Sequence, residues 1–218
     1  MTSPARRHLL RQSAIEAAQQ DTRLLRHATG YELLLQKLNA DQKALKKAYS
    51  AEKKAELKCK MLPEYAPWVA GVLAEGKGAQ DAILMTIMIW RIDVGDYAGA
   101  LEIARYALHY KLAMPFGKRP AGYALAEEIA DMSTRAHAAG EPVSLDVLMT
   151  TMELTESLDM PDQVRAKLHK ITGYLYRDAE KLPLALQHLK RAFQLNSNCG
   201  VKKDIERLES AIKKAANS

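Results

Sequence analysis

The chain has 218 residues, 48% of them apolar, 27% charged and 6% aromatic. That length is ample for a buried core, and 11 Gly with 8 Pro fit neither a collagenous nor a broadly disordered chain. Two cysteines, Cys59 and Cys199, can form neither a disulfide scaffold nor a zinc site with paired ligand spacing, which points to a reducing compartment. The longest uncharged run, Ala82 to Trp90, is far short of the roughly 20 residues of a membrane span. Residues 1–20 lack the hydrophobic stretch of a secretory leader, so neither a membrane protein nor a secreted one is expected.

The net charge of +6 is unevenly placed. Residues 1–60 hold 13 Lys and Arg against 6 Asp and Glu, whereas the remaining 158 residues hold 19 against 20. All of the positive excess therefore lies in the first quarter. It marks that part for a polyanion, nucleic acid being the natural candidate, against the plainer reading of a solvated lysine-rich helix.

Ala, Leu, Lys, Glu and Gln dominate and alternating strand-like runs are missing, so an all-α protein is predicted. A basic arm (residues 1–30) comes first. A long helix is then predicted from Tyr31 to Met61, ended by Pro63 and Pro67. On it Leu34, Leu38, Leu45 and Tyr49 fall in a sector of about 60°, an apolar stripe for packing. Lys43, Lys46, Lys47, Lys53, Lys54 and Lys58 fall on the opposite side, where they could follow a phosphate backbone. Residues 31–114 are read as a helical DNA-binding and oligomerisation region, with helices at about 79–92 and 98–112. In it Ile83, Ile87 and Trp90 are candidates for core or subunit interface.

The loop from Pro115 to Pro120 is a candidate boundary. Beyond it helices are predicted at about 121–139, 144–158, 162–178, 183–195 and 199–216, making residues 120–218 a domain of antiparallel hairpins. Two segments look like tetratricopeptide helix pairs: Gly95, Asp96, Tyr97, Ala100, Ala104 and Ala107, then Gly173, Tyr176, Ala185, Leu189, Ala192 and Leu195. They are not tandem, so protein-binding hairpins are expected rather than a solenoid.

Chemical motifs are sparse. Gly71 to Gly78 approaches a phosphate-binding loop, but Gly78 stands where Ser or Thr would hold Mg²⁺, and no strand precedes it. Glu64, Glu75 and Lys77 can be forced into a metal-dependent nuclease pattern, though no sheet is predicted to bring them together. The six histidines show no ligand spacing, and Cys59 between Lys58 and Lys60 reads as a passive thiol. No catalytic residue, metal ligand or cofactor is assigned.

Several separated runs resemble the small terminase subunit of peduovirus-type temperate tailed phages. They are Met1 to His8, Leu25 to Thr29, Gly76 to Asp81 with Ile83 to Thr86, Gly99 to Leu108, Arg135 to Glu141, Met160 to Asp162, Val164 to Gly173 and Gly200 to Lys203. The chain ends at Ser218 where relatives can carry a longer basic tail, so no DNA-binding role is assigned to the C-terminus. The resemblance implies a DNA-packaging protein without chemistry of its own, acting in the cytoplasm of the bacterial host. It would recognise a cohesive-end packaging site on double-stranded concatemeric phage DNA, form a homo-oligomeric ring and recruit the large terminase subunit, which holds the ATPase and nuclease. Some relatives are labelled endonuclease subunit; cleavage is here attributed to the holoenzyme. Arg6, Arg7, Arg11, Arg23 and Arg26 would grip phosphates with the six lysines, and the hairpins from Val164 would dock the large subunit. The competing readings are a helical-repeat adaptor that binds only proteins and, third, a metal-dependent endonuclease subunit.

Overall fold

A computed structural model describes residues 3–19 and 29–216, and all of its regular structure there is α-helical. The chain divides into two compact units, residues 1–121 and 122–218.

The N-terminal unit contains α1 (Pro4–Gln19), α2 (Thr29–Lys47), α3 (Ala51–Glu75), α4 (Ala82–Asp93) and α5 (Tyr97–His109). Its centre is α4, in which every residue from Ile83 to Trp90 is buried. A helix apolar on all sides must be surrounded, and α4 packs against α2, α3 and α5. Ile83, Ile87 and Trp90 are thus core residues, 0%, 1% and 5% exposed. From α5 the small residues Ala100, Ala104 and Ala107 face this core, and Asp96 caps the helix by accepting from the Gly99 N–H at 3.0 Å.

The single helix expected from Tyr31 to Met61 is in fact two. Ser50, in extended conformation, accepts from the Lys53 N–H at 3.0 Å and so starts a new helix. Nor do the prolines stop it: α3 runs 25 residues with Pro63 and Pro67 inside. Their missing N–H groups orphan the carbonyls of Cys59 and Pro63, both on exposed residues where water can substitute. The opposite face buries Tyr65, Trp68, Val69 and Val72, and that burial outweighs the two missing bonds. Tyr49 leaves the predicted stripe altogether: Leu34, Leu38 and Leu45 are buried, whereas Tyr49 is 99% exposed.

The C-terminal unit holds α6 (Ala121–Ala138), α7 (Leu145–Thr155), α8 (Asp162–Asp178), α9 (Leu182–Leu195) and α10 (Lys202–Ala216). Gly173 lets α8 and α9 close tightly, since a Cβ there would meet Leu189 Cδ2 at 2.6 Å. Ala185, Leu189, Val201 and Leu208 form a core over which Tyr174, Phe193 and Ile205 pack. Lys167 ties α8 to α6 through Asp131 at 2.9 Å, and His137 on α6 meets Asp178 at 2.6 Å.

Candidate nucleic-acid interface

Two clusters of basic side chains stand out in the N-terminal unit, beside scattered exposed ones such as Lys77, Arg105, Lys111 and Lys118. The first is α1, where Arg6, Arg7 and Arg11 are all exposed. This helix packs on α3: Ala14 is fully buried, and the Arg11 carbonyl lies 2.6 Å from where a Cβ of Gly71 would stand. The arginines therefore project from a docked helix. Arg23 and Arg26 lie outside the described residues.

The second place is the end of the α2–α3 hairpin. The two helices run antiparallel, as shown by Tyr31 against Trp68 (ring centroids 5.5 Å apart), Lys37 near Glu64 (3.5 Å) and Asp41 bonded to Tyr65 Oη (2.7 Å). Burial and the Asp41 carboxylate push the Tyr65 phenol well above its ordinary range. Buried residues of α3 begin only at Tyr65, so its first turns reach beyond the core, while the last buried residue of α2 is Leu45. Lys43, Lys46, Lys47 and Lys53 are exposed there and Lys54 is half-buried. Lys46 and Lys47 also sit in the last turn of α2, where cations offset the negative end of the helix dipole.

The lysines expected on one helix stripe thus surround a break between two helices. They are not equally available. Lys53 pairs with Glu56 at 2.9 Å, and Lys58 is bound to Asp93 at 2.5 Å, fastening α3 to the end of α4. The two basic regions are also well separated. Gly71, beneath Arg11, is 17 residues from Lys54 along α3, about 25 Å at helical rise.

The near-miss chemical motifs turn out to be packing features. Gly71 is the contact of α1 on α3, and the Gly78 N–H donates to Tyr106 Oη at 2.8 Å. Glu64 and Glu75 are 11 residues apart on α3, about 16 Å along its axis, too far to share a metal ion. Among the described residues no three His, Cys, Asp or Glu side chains converge as metal ligands. Spacing gave no hint that His169 and His188 meet, yet their Nδ1 atoms lie 3.1 Å apart between α8 and α9.

The profile of the phage small terminase subunit matches residues 35–163, which takes in most of the hairpin and all of α4 to α7. The terminase endonuclease subunit of Escherichia phage P2 is 59% identical over 215 residues, covering 98% of this chain and 87% of that protein. The chain belongs to the phage small terminase subunit family. That membership places it in the packaging of phage DNA. A second relative, the probable terminase endonuclease subunit of Haemophilus phage HP1, is 28% identical over 93% of this chain and 78% of its own length. No solved structure matches this small terminase chain. No helix among the described residues is long and apolar enough to cross a membrane.

Proposed function

We propose that the chain is the DNA-recognition subunit of a phage terminase. It binds the cohesive-end packaging site on double-stranded concatemeric DNA, assembles as a homo-oligomeric ring and passes the DNA to the large subunit in the host cytoplasm. The observation that carries this reading is the concentration of exposed Arg and Lys on α1 and on the α2–α3 hairpin end, in a chain of the small terminase family. The phosphate ligands in this reading are Arg6, Arg7, Arg11, Arg23, Arg26, Lys43, Lys46, Lys47, Lys53 and Lys54. Lys58 joins them only by exchanging Asp93 for a phosphate. A ring multiplies modest single-chain contacts by the number of subunits, and two separated basic regions give each subunit two holds on the duplex. The hairpins from Val164 onward are left as the docking surface for the large subunit. Both relatives are named as endonuclease subunits, and cleavage belongs in this reading to the assembled holoenzyme.

Affinity for packaging-site and scrambled duplexes across a salt series, with the assembly mass recorded alongside, tests the proposal. The expected result is a large assembly that prefers the packaging site, with log affinity falling linearly in log salt. Neutralising Arg6, Arg7 and Arg11 should flatten the slope by up to about 0.9 for each phosphate no longer held. Substitution is the better probe than deletion of residues 2–28, because removing α1 would uncover α3 at Gly71. A monomer or dimer that binds neither duplex at low salt would refute the reading.

A further inference from the structure

Eight of the nine tyrosines are wholly or partly covered by the fold; the ninth, Tyr49, is 99% exposed. It stands in the break between α2 and α3, at the far end of the hairpin from the core. Residues 43–54 around it carry five lysines and one acid. An aromatic ring flanked by cations on both sides fits a partner with outer negative charge and inner flat apolar surface. Duplex DNA has that construction, with phosphates on the rims of a groove and base edges on its floor.

We propose that Tyr49 is the base-contacting residue of the DNA interface, inserted into a groove while Lys43, Lys46, Lys47, Lys53 and Lys54 hold the flanking phosphates. This rests on the DNA-recognition reading above and adds to it a contact that carries no charge. Lysines alone supply sequence-independent affinity that salt removes, whereas an aromatic ring against bases contributes a term that salt leaves in place.

The test uses the full-length protein and packaging-site duplex, comparing wild type with Tyr49→Ala, Tyr49→Phe, Tyr49→Trp and the Lys46→Ala/Lys47→Ala double variant across a salt series. Thermal unfolding and assembly mass are measured for each. Tyr49→Ala should bind about fivefold more weakly, the lower end for a lost base-edge contact, with the salt slope unchanged. Phe and Trp should restore most of the affinity, and the lysine variant should instead lower the slope. Unchanged affinity in Tyr49→Ala overturns the proposal. So does weaker binding accompanied by a lower slope, which would make the phenol a phosphate ligand, or a fall in assembly mass, which would make the tip a contact between copies. Failure of the wild-type chain to bind any duplex would instead overturn the DNA-recognition reading itself.

Discussion

The indole N–H of Trp68 on α3 donates to Asp81 Oδ2 across 2.7 Å, inside the core of the N-terminal unit. The other carboxylate oxygen accepts from the N–H groups of Ile83 and Leu84 at 2.8 and 2.9 Å, capping α4. One acidic side chain thus joins the end of one helix to the start of another. Around it, Gly78 binds Tyr106, and Gln80 exchanges two hydrogen bonds of 2.8 Å with the Ala113 backbone. The Gly76 to Asp81 run, one of those that resemble the terminase family, is therefore a structural clasp.

Asp81 is 5% exposed; burial pushes its pKa up, while the bonds from Leu84, Trp68 and Ile83 pull it down. Asp81→Asn must turn an NH₂ toward either the indole or the α4 amides, leaving buried donors facing each other. It should destabilise the protein by about 2 kcal/mol in urea unfolding, and Trp68→Phe in the same chain should recover part of that deficit. Strict additivity of the two substitutions would show that the bond is not the source.

Gly71 has no room for a side chain: a Cβ would stand 2.6 Å from the Arg11 carbonyl and 2.9 Å from Ala14 Cβ. Because the first obstacle is backbone, α1 has to move. Gly71→Ala should therefore raise hydrogen exchange in residues 4–19 while α4 stays protected. Equal protection of α1 in both proteins would contradict the close packing described above.

Burial, then the charges of His188, Arg191 and Arg165, hold His169 down to about 4, and burial also lowers His188. In the unfolded chain both titrate near 6.5. Between these values the unfolded state binds more protons, so stability falls as pH drops from about 6.5 through about 4. His188→Gln removes one of the two titrating rings, and its urea midpoint should change less over that window than the wild type's. Parallel pH profiles would exclude the pair as the cause.

Glu180 follows the end of α8 with φ +59°, a left-handed conformation that L-residues adopt at a cost of about 1–2 kcal/mol. Glycine there removes the steric cost but frees the unfolded chain, so Glu180→Gly should stabilise by a few tenths to about 1 kcal/mol. Glu180→Ala keeps the Cβ and should give no gain in melting temperature.

Helical periodicity and Gly or Pro punctuation were enough for α4 to α10, because each is short, capped or bounded by a turn signal. The N-terminal half was less legible. Nothing between Tyr31 and Met61 looks like a breaker, yet Ser50 offers its hydroxyl to the backbone three residues on, and this local bond wins. The same serine signal, weighed as an N-cap, would have placed Tyr49 outside the helix. Pro63 and Pro67 misled in the other direction, since burial of Tyr65 and Trp68 holds the helix through them.

The sequence by itself determined that the protein is helical, that its excess of positive charge falls in the first quarter and that it resembles a terminase small subunit. Those are properties of composition, local spacing and motif. Only the tertiary structure decided which groups are free to act. It tied Lys58 to Asp93, seated the Arg11 backbone on Gly71, brought His169 to His188 and left Tyr49 uncovered. The two side-chain pairs lie 35 and 19 residues apart along the chain, and each depends on how separate helices pack. Helical period fixes a residue's direction on its own helix, but it carries no information about what stands opposite.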